Sequence, residues 1–302
     1  MLLPFEPSVG EDTAETTYPP ARLMILGGGG AEGKPDPVVP RETYELDSYK
    51  PATNTAEILD LGDSDPQWRM LTQGMHAGRV MPDSVLLPTG KVLVVGRGRY
   101  GQSGGLLAHF TSSDVGGRPN KGAWDPVLGP ELFDPVSETW TKLCPKPLAR
   151  LYHTTAALLP DARVLVAGHD GALNMRPYDE SQYDLEVFSP PYLFDADGQP
   201  AARPSVFAAP GLATYQQTIE IGFRSEHGVG RVSLIRQSST THQINSDQRC
   251  IGLAFEVTSH DRATVSMPPG GGVAPPGYYM LFLVDGRGVP SEAHWLRLAP
   301  GG

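Results

Sequence analysis

The feature that most constrains the fold of this chain is an internal repeat. Residues 86–96 read LLPTGKVLVVG and align without a gap on residues 158–168, which read LLPDARVLVAG. Each copy predicts two strands joined by a tight turn, because the short dipeptide TG or DA interrupts two apolar runs. The second run ends in glycine and is typical of a strand buried on both faces. A partial third copy, RLMILGG, spans residues 22–28, and LLP at residues 2–4 resembles its missing first strand.

An acidic and apolar segment follows each glycine-ended strand after a loop of variable length: AEILD at 56–60, ELFDP at 131–135 and LEVFSP at 185–190. In the first two units a tryptophan comes next, Trp68 or Trp140, and then Arg79 or Arg150 opens the next unit. Four strands per unit with this punctuation are typical of a Kelch-like propeller blade. We therefore predict an all-β fold with about three Kelch-like blades in residues 1–202. A generic β-sandwich with accidental internal similarity is the alternative.

The pattern changes near residue 203. Beyond it the sequence predicts short strands at the spacing of an antiparallel sandwich of about one hundred residues, at 218–223, 232–235, 250–257, 263–267 and 278–285. We predict that residues 203–302 form an immunoglobulin-like β-sandwich. The segment SPPYLF at residues 189–194 is the predicted hinge between the two domains, because its prolines favour an extended backbone.

Three blades are too few to close a propeller, which usually has four to eight. The unpaired strand edges of an open ring promote aggregation unless another segment covers them. We therefore expect that the sequence is a fragment or a truncated gene product, or that a second chain completes the ring. The first residues, MLLPFEPSVGEDTAE, lack the basic and apolar regions of a secretory signal, so they give no support for export.

Charge, hydropathy and cysteine content exclude several classes of protein. The net charge of −10 and the absence of a basic cluster argue against nucleic acid as a partner. No apolar run approaches the roughly 18 residues that cross a bilayer, so we predict no membrane span; the longest run, residues 278–284, predicts a buried strand. Cys144 and Cys250 are too few for a disulfide framework. Each is predicted to be a buried thiol, and a bridge between them is the alternative.

Two segments place side chains that can bind a metal next to strand ends. Tyr152 and His153 open the third unit, where Met81 and Pro82 stand in the preceding one. Adjacent residues on a regular strand point to opposite faces, so both could reach one metal only where the backbone is irregular. His242 lies in a polar stretch between two predicted strands, and its imidazole alone suits copper, zinc, iron or nickel. A structural histidine at 153 and a solvated histidine at 242 are the alternatives.

Five segments in this order resemble the galactose oxidase and glyoxal oxidase family of copper radical oxidases: GRVMPDSVLLPTG (78–90), ARLYHTTAALLPD (149–161), EVFSPPYL (186–193), THQINSDQR (241–249) and PPGYYMLF (275–282). The resemblance implies a propeller followed by a sandwich, one loop of which reaches the propeller axis. It also implies that Tyr152 is the axial tyrosine that takes the substrate proton, and that His153 and His242 are the imidazole ligands of copper. Asp247, Gln248 and Arg249 would then lie behind His242.

The same resemblance implies a second tyrosine, cross-linked to a cysteine, that forms the radical. Neither cysteine stands at the matching place, so the cross-link is not identifiable; Tyr18, Tyr44, Tyr49 and Tyr100 are left unassigned. We therefore expect the C-terminal part of an oxidase that is inactive alone, although its family oxidises primary alcohols or aldehydes with O2 to give H2O2. The resemblance implies copper, a small alcohol, aldehyde or carbohydrate partner, and an extracellular location. A non-enzymatic module that binds carbohydrate or protein is the main alternative, and a zinc-dependent hydrolase is a third hypothesis.

Overall fold

The fold is all-β, as predicted, in a computed structural model that describes residues 1–9, 16–29, 51–99, 126–151, 153–169, 182–241 and 244–301. Within these ranges the one helical element is the short 3-10 helix Pro191–Leu193. No helix in the described ranges is long and apolar enough to cross a lipid bilayer.

The N-terminal half forms small antiparallel sheets, which we call the first, second and third repeat sheets. They follow a two-stranded ribbon of β1 (Ser8–Val9) and β2 (Thr16–Thr17). The first repeat sheet contains β3 (Arg22–Leu26), β4 (Ala56–Asp60) and β5 (Arg69–Met70). The second contains β6 (Asp83–Leu86), β7 (Val92–Val95), β8 (Glu131–Asp134) and β9 (Thr139–Lys142). The third contains β10 (Thr155–Leu158), β11 (Val164–Ala167) and β12 (Glu186–Phe188).

The strands and turns of the repeat form where its sequence predicts them. In both full copies the last residue of the turn, Gly90 or Ala162, has a left-handed backbone, with φ of 79° and 66°. Its N–H donates to Leu87 O or Leu159 O at 2.9 Å and closes the turn. All four residues of β7 are buried, which confirms burial on both faces there. In β11 burial alternates, so that prediction was wrong for the third sheet.

The first residues of the chain complete the first repeat sheet. Met24 N–H donates to Met1 O at 2.9 Å, and Leu3 N–H donates to Arg22 O at 2.9 Å. Residues 1–3 thus occupy the free edge of β3, which confirms that they are the first strand of that unit. The segment then continues to the C-terminal half, where Phe5 N–H donates to Cys250 O at 2.9 Å.

Two buried arginines make the same contacts within successive repeat units. Arg79 Nη1 donates to Gly96 O at 3.0 Å, and its Nη2 donates to Glu131 Oε1 at 2.9 Å. Arg150 Nη1 donates to Gly168 O at 3.0 Å, and its Nε donates to a glutamate at the matching place, Glu186, at 2.6 Å. The internal repeat is therefore present in the contacts as well as in the sequence. The number of propeller blades stays a prediction.

The C-terminal half consists of two packed sheets and a small hairpin. Its strands are β13 (Ser205–Ala208), β14 (Leu212–Thr214), β15 (Thr218–Arg224), β16 (Arg231–Arg236), β17 (Thr240–Thr241), β18 (Ile244–Asn245), β19 (Arg249–Leu253), β20 (Phe255–Ser259), β21 (Arg262–Ser266), β22 (Gly277–Val284) and β23 (His294–Ala299). One sheet has the order β13-β15-β21-β20 and the other β14-β23-β22-β16-β19. The single strand predicted over residues 250–257 was wrong, because the chain passes from one sheet to the other at Ala254.

The five-stranded sheet is the middle layer of the molecule. On one face Leu234, Ile251 and Leu281 pack against the four-stranded sheet. On the other face Met280 and Phe282 pack with the buried residues of the repeat sheets. Residues from alternate positions of β22 thus enter two different cores, which explains why residues 278–284 form an uninterrupted apolar run.

The predicted hinge and cysteines differ in part from expectation. The hinge is not extended throughout, because it contains the 3-10 helix Pro191–Leu193, and Tyr192 Oη donates to Ala162 O at 2.6 Å. Both cysteines are free thiols, so no bridge joins them. Cys250 is buried as predicted, but Cys144 is exposed, because it lies in the loop after β9 rather than in a core.

Candidate metal centre

The candidate ligand His153 lies in the segment 151–154, which we call the ligand loop, between Arg150 and β10. His153 is exposed and has a left-handed backbone with φ of 59°. Met81 has nearly the same φ, 52°, and each of the two precedes its strand by two residues. The registers agree, since Asp83 pairs with Val95 as Thr155 pairs with Ala167. His153 therefore corresponds to Met81, and the sequence alignment that placed it opposite Pro82 was wrong.

The ligand loop is one residue longer than its counterpart in the preceding unit. Three residues separate Arg79 from β6, whereas four separate Arg150 from β10. A left-handed non-glycine residue costs of the order of 1 kcal/mol and must be held by its surroundings. The irregular backbone that two adjacent ligands require is thus present at His153. Tyr152 lies outside the described residues, and the direction of its side chain stays a prediction.

Contacts from two sheets hold the ligand loop. Arg97 Nη1 donates to Leu151 O at 2.5 Å, and its Nη2 donates to Thr154 O at 3.2 Å. Leu151 N–H donates to His169 Nδ1 at 3.3 Å, so this ring nitrogen acts as an acceptor. At Gly168, where φ is 82°, any side chain would collide with the carbonyl oxygen of His153.

The second candidate segment comes from the C-terminal half and reaches the third repeat sheet. Strands β17 and β18 pair as a small hairpin, with Thr241 opposite Ile244. Thr155 Oγ1 donates to Thr240 Oγ1 at 3.3 Å, so the hairpin lies beside β10. In sequence, Thr155 is two residues from His153 and Thr240 is two residues from His242. His242 and Gln243 lie outside the described residues. The two candidate segments are therefore adjacent, while convergence of the three side chains stays a prediction.

The residues after His242 anchor this segment to the second repeat sheet. Gln248 is buried, and its Oε1 accepts the Leu86 N–H at 2.7 Å while its Nε2 donates to Ser84 O at 3.2 Å. Its side-chain amide thus pairs with the free edge of β6 as a neighbouring strand would. Asp247 is 3.8 Å from Arg236, and Arg249 Nη1 donates to Gln248 O at 3.5 Å. Their predicted position behind His242 stays a prediction.

Sequence reasoning missed the buried pair next to the ligand loop. Asp83 and Arg97 are 3% and 4% exposed, and Asp83 Oδ2 is 3.7 Å from Arg97 Nη2. Burial raises the pKa of Asp83 to about 7, although the charge of Arg97 acts in the opposite direction. The one sequence signal is that a polar residue, Arg97 or His169, directly follows the glycine-ended strand in both full copies.

The donor set of two imidazoles and a phenolate fits copper, which accepts nitrogen and oxygen ligands. Among the described residues there is no group of three or more His, Cys, Asp or Glu side chains that could hold a metal. That statement does not cover Tyr152 and His242, because both lie outside the described residues and tyrosine is not one of these four residue types. Of the unassigned tyrosines, Tyr18 donates its hydroxyl to Gly252 O at 2.8 Å, and burial raises its pKa; Tyr44, Tyr49 and Tyr100 lie outside the described residues.

Comparison with known families decides the relationship. The model for the glyoxal oxidase N-terminus matches residues 2–192, and the model for the galactose oxidase-like early set domain matches residues 203–298. The chain belongs to the galactose oxidase and glyoxal oxidase family. These enzymes are copper radical oxidases, so the family predicted from the five segments is confirmed.

Individual relatives agree with this family. A galactose oxidase of Gibberella zeae is 32% identical over 253 residues, which cover 82% of this chain and 34% of that protein. The aldehyde oxidase GLOX of Vitis pseudoreticulata is 34% identical over 249 residues, covering 78% of this chain and 44% of the relative. A solved fungal alcohol oxidase in complex with copper superposes with a TM-score of 0.71 at 32% identity, covering 92% of this chain and 51% of that one. This member of the copper radical oxidase family thus spans between about a third and a half of the length of these relatives.

Proposed function

We propose that Tyr152, His153 and His242 are the copper ligands of an oxidase that converts primary alcohols or aldehydes with O2 and releases H2O2. The observation that carries the proposal is the left-handed backbone of His153 beside the contact between Thr155 and Thr240. It places the segment that contains His242 next to the segment that contains the other two. The named relatives, a galactose oxidase, an aldehyde oxidase and an alcohol oxidase, support the substrate class.

Each residue has a separate task in this proposal. His153 and His242 would hold the metal through neutral imidazole nitrogens, and Tyr152 would hold it through its phenol oxygen and accept the hydroxyl proton of the substrate. Copper, when bound with an oxidised tyrosine, supplies the acceptor for the two substrate electrons, and dioxygen restores it. Arg97 holds the carbonyl oxygens of Leu151 and Thr154, and Gly168 leaves room for the carbonyl of His153.

The proposed architecture is a Kelch-like propeller of repeat sheets in residues 1–202 and an immunoglobulin-like sandwich in residues 203–302. The repeated contacts of Arg79 and Arg150 support the first part. The two packed sheets from Ser205 to Ala299 support the second. A second chain that completes the ring belongs to the same proposal.

We further propose that the 302-residue chain alone has weak copper affinity and little oxidase activity. The reason is that neither cysteine suits the cross-link to a tyrosine. Cys144 is exposed in the loop after β9. Cys250 is buried, its Sγ donates to Leu87 O at 3.7 Å, and burial raises its pKa to about 11. A thiol with a raised pKa is less often the reactive thiolate.

Copper titration of the metal-free chain tests the ligands. His153→Ala and His242→Ala should each weaken copper binding about tenfold or more, because each removes an imidazole from the set. His260→Ala is the matched control, since that histidine side chain is 92% exposed in the turn between β20 and β21. Equal affinity in all four proteins would refute the ligand assignment. In a peroxidase-coupled assay, turnover of an alcohol, glyoxal or methylglyoxal at about 1 s⁻¹ or faster would refute the inactivity of the chain.

A second candidate function, non-enzymatic binding of a carbohydrate, has one specific observation in its favour. A groove of about 760 Å³ at the end of the four-stranded sheet contains the half-exposed Phe207 together with Arg224, Glu226 and Asp261. Aromatic and charged side chains in one groove are typical of ligand sites. Saccharide binding that survives removal of metal and is lost in Phe207→Ala would support this function. Phe194→Ala, which changes an exposed phenylalanine elsewhere, is the control.

A further inference from the structure

Arg97 follows β7 of the second repeat sheet, but its side chain binds the loop that leads into the third repeat sheet. It directly follows the glycine that ends the β7 segment and is buried. Its guanidinium spans the carbonyl oxygens of Leu151 and Thr154, at 2.5 and 3.2 Å. These two carbonyls stand on either side of Tyr152 and His153. One side chain therefore fixes both ends of the ligand loop.

The geometry of this contact depends on the guanidinium group. Its N–H donors point in different directions within one rigid plane, so the group can bind two acceptors that are three residues apart at the same time. Thr154 adds a third hydrogen bond, since its Oγ1 donates to Leu151 O at 2.9 Å. Asp83 Oδ2 lies 3.7 Å from Nη2, close enough to attract the guanidinium when the carboxyl is ionised.

The preceding interface provides a natural contrast. Gly28 N–H donates to Arg79 O at 2.8 Å, as Arg97 N–H donates to Arg150 O at 2.7 Å, so Gly28 and Arg97 occupy equivalent places. The loop that faces Gly28 carries Met81, which is not one of the candidate ligands, and the glycine offers no side chain to hold that loop. The arginine is present at the interface where the candidate ligands lie and absent where they do not.

We infer that Arg97 is a positioning residue for the copper ligands. It holds the carbonyls of Leu151 and Thr154 and so fixes the two ends of the loop that contains the candidate ligands Tyr152 and His153. This inference rests on the proposed function of Tyr152 and His153. It adds that the ligand geometry is set by the neighbouring repeat sheet, and not by the loop itself.

The test compares Arg97→Lys with the wild-type chain loaded with Cu²⁺. Lysine keeps the charge opposite Asp83, but its single ammonium cannot bridge both carbonyls. Copper affinity should fall roughly tenfold or more, as is usual when a residue that orients ligands is changed. The electron paramagnetic resonance spectrum should also change in its copper hyperfine splitting, which a uniform loss of stability would not alter. Arg203→Lys is the matched control, because Arg203 also donates to two backbone carbonyls, Pro290 O and Ser291 O, far from the ligand loop.

The outcomes separate this inference from the proposed function. If wild-type affinity is unchanged by His153→Ala, the proposed ligands are wrong. If His153→Ala weakens binding while Arg97→Lys keeps both the affinity and the spectrum of the wild type, the positioning role is wrong and the ligands stand. Should Arg97→Lys fail to fold, Arg97→Gln provides a second test, because its shorter, neutral side chain cannot bridge both carbonyls, and its copper affinity should fall about tenfold or more. An unchanged affinity and spectrum in that variant would equally overturn the inference.

Discussion

Met81 and His153 occupy the same place in successive repeat sheets, and both have a left-handed backbone, with φ of 52° and 59°. The conformation therefore comes from the repeat and does not depend on the imidazole. What differs is the side chain and one extra residue between Arg150 and β10. The repeat supplies a strained, irregular strand start, and the substitutions at this one copy supply side chains that can bind a metal.

The shared conformation predicts how stability responds to substitution. A β-branched residue is strongly disfavoured at positive φ, whereas glycine accepts it. His153→Val should therefore lower the free energy of unfolding by about 1–2 kcal/mol relative to His153→Gly. Urea unfolding of the metal-free chain measures the difference. Met81→Val and Met81→Gly should show the same order, and equal stability of valine and glycine at both sites would contradict the shared conformation.

The contact of Gln248 with β6 predicts a large cost for its loss. Gln248→Leu leaves the Leu86 N–H and the Ser84 carbonyl unpaired in a buried place, which should lower the free energy of unfolding by about 2–3 kcal/mol. Gln67→Leu removes a glutamine from the exposed surface and should change stability by no more than about 0.5 kcal/mol. Chemical unfolding of both variants checks the prediction. Similar effects would mean that Gln248 does not anchor the two halves.

Much of the fold was predictable because its signals are local. The turns at Gly90 and Ala162 and the apolar strands around them depend on neighbours in sequence, and so does the apolar run of β22. The strands Ser205–Ala208 and Leu212–Thr214 were missed, since they lie at sheet edges where few side chains are buried. His294–Ala299 was also missed, although it lies inside the five-stranded sheet and buries Leu296 and Leu298. The passage between sheets at Ala254 was missed because an apolar run does not reveal which sheet each residue joins.

The candidate site was less predictable from the residues themselves. Tyr152, His153 and His242 were singled out by family resemblance, and the requirement for an irregular backbone came from strand geometry. The role of Arg97 depends on contacts with the ligand loop more than fifty residues away, and Asp83 is linked to that loop through Arg97. No local pattern encodes such contacts. The equivalence of His153 with Met81 follows when the gap-free alignment of residues 86–96 on 158–168 is extended towards the N-terminus, and the strand register agrees with it.

The lowered pKa of Glu131 predicts that the fold loses stability in acid. Burial pushes its pKa upward, but hydrogen bonds from the His76 N–H and from Arg79 outweigh burial and hold the pKa below its usual value. A carboxyl with a lowered pKa stabilises the fold at neutral pH and loses that contribution as the pH falls below about 4.5. Glu131→Gln should therefore cost about 3 kcal/mol at pH 7, because it leaves Arg79 buried without its partner. The difference from the wild type should shrink below pH 4; Glu256→Gln, at an exposed glutamate, is the control.

The raised pKa of Asp83 predicts a pH dependence of stability with the opposite sign. Its pKa is raised to about 7 by burial, against the attraction of Arg97. Between pH 4 and pH 7 the folded chain keeps the proton that the unfolded chain releases, so the contribution of Asp83 to stability falls as the pH rises through this range. The free energy of unfolding of the wild type, relative to Asp83→Asn, should thus decrease by at most about 4 kcal/mol from pH 4 to pH 8.

Urea unfolding at pH 4.5, 6 and 8 measures this difference, and Asp134→Asn provides a control with the reverse trend. At Asp134 burial raises the pKa, but hydrogen bonds from the Val136 N–H and from Lys91 outweigh it and lower the pKa. The wild type should therefore gain stability relative to Asp134→Asn as the pH rises through about 4. Because asparagine resembles the protonated carboxyl, the wild type and Asp83→Asn should be nearly equal in stability near pH 4. If the wild type stays equal in stability to Asp83→Asn, or becomes the more stable of the two as the pH rises, Asp83 is ionised at neutral pH and forms a full ion pair with Arg97.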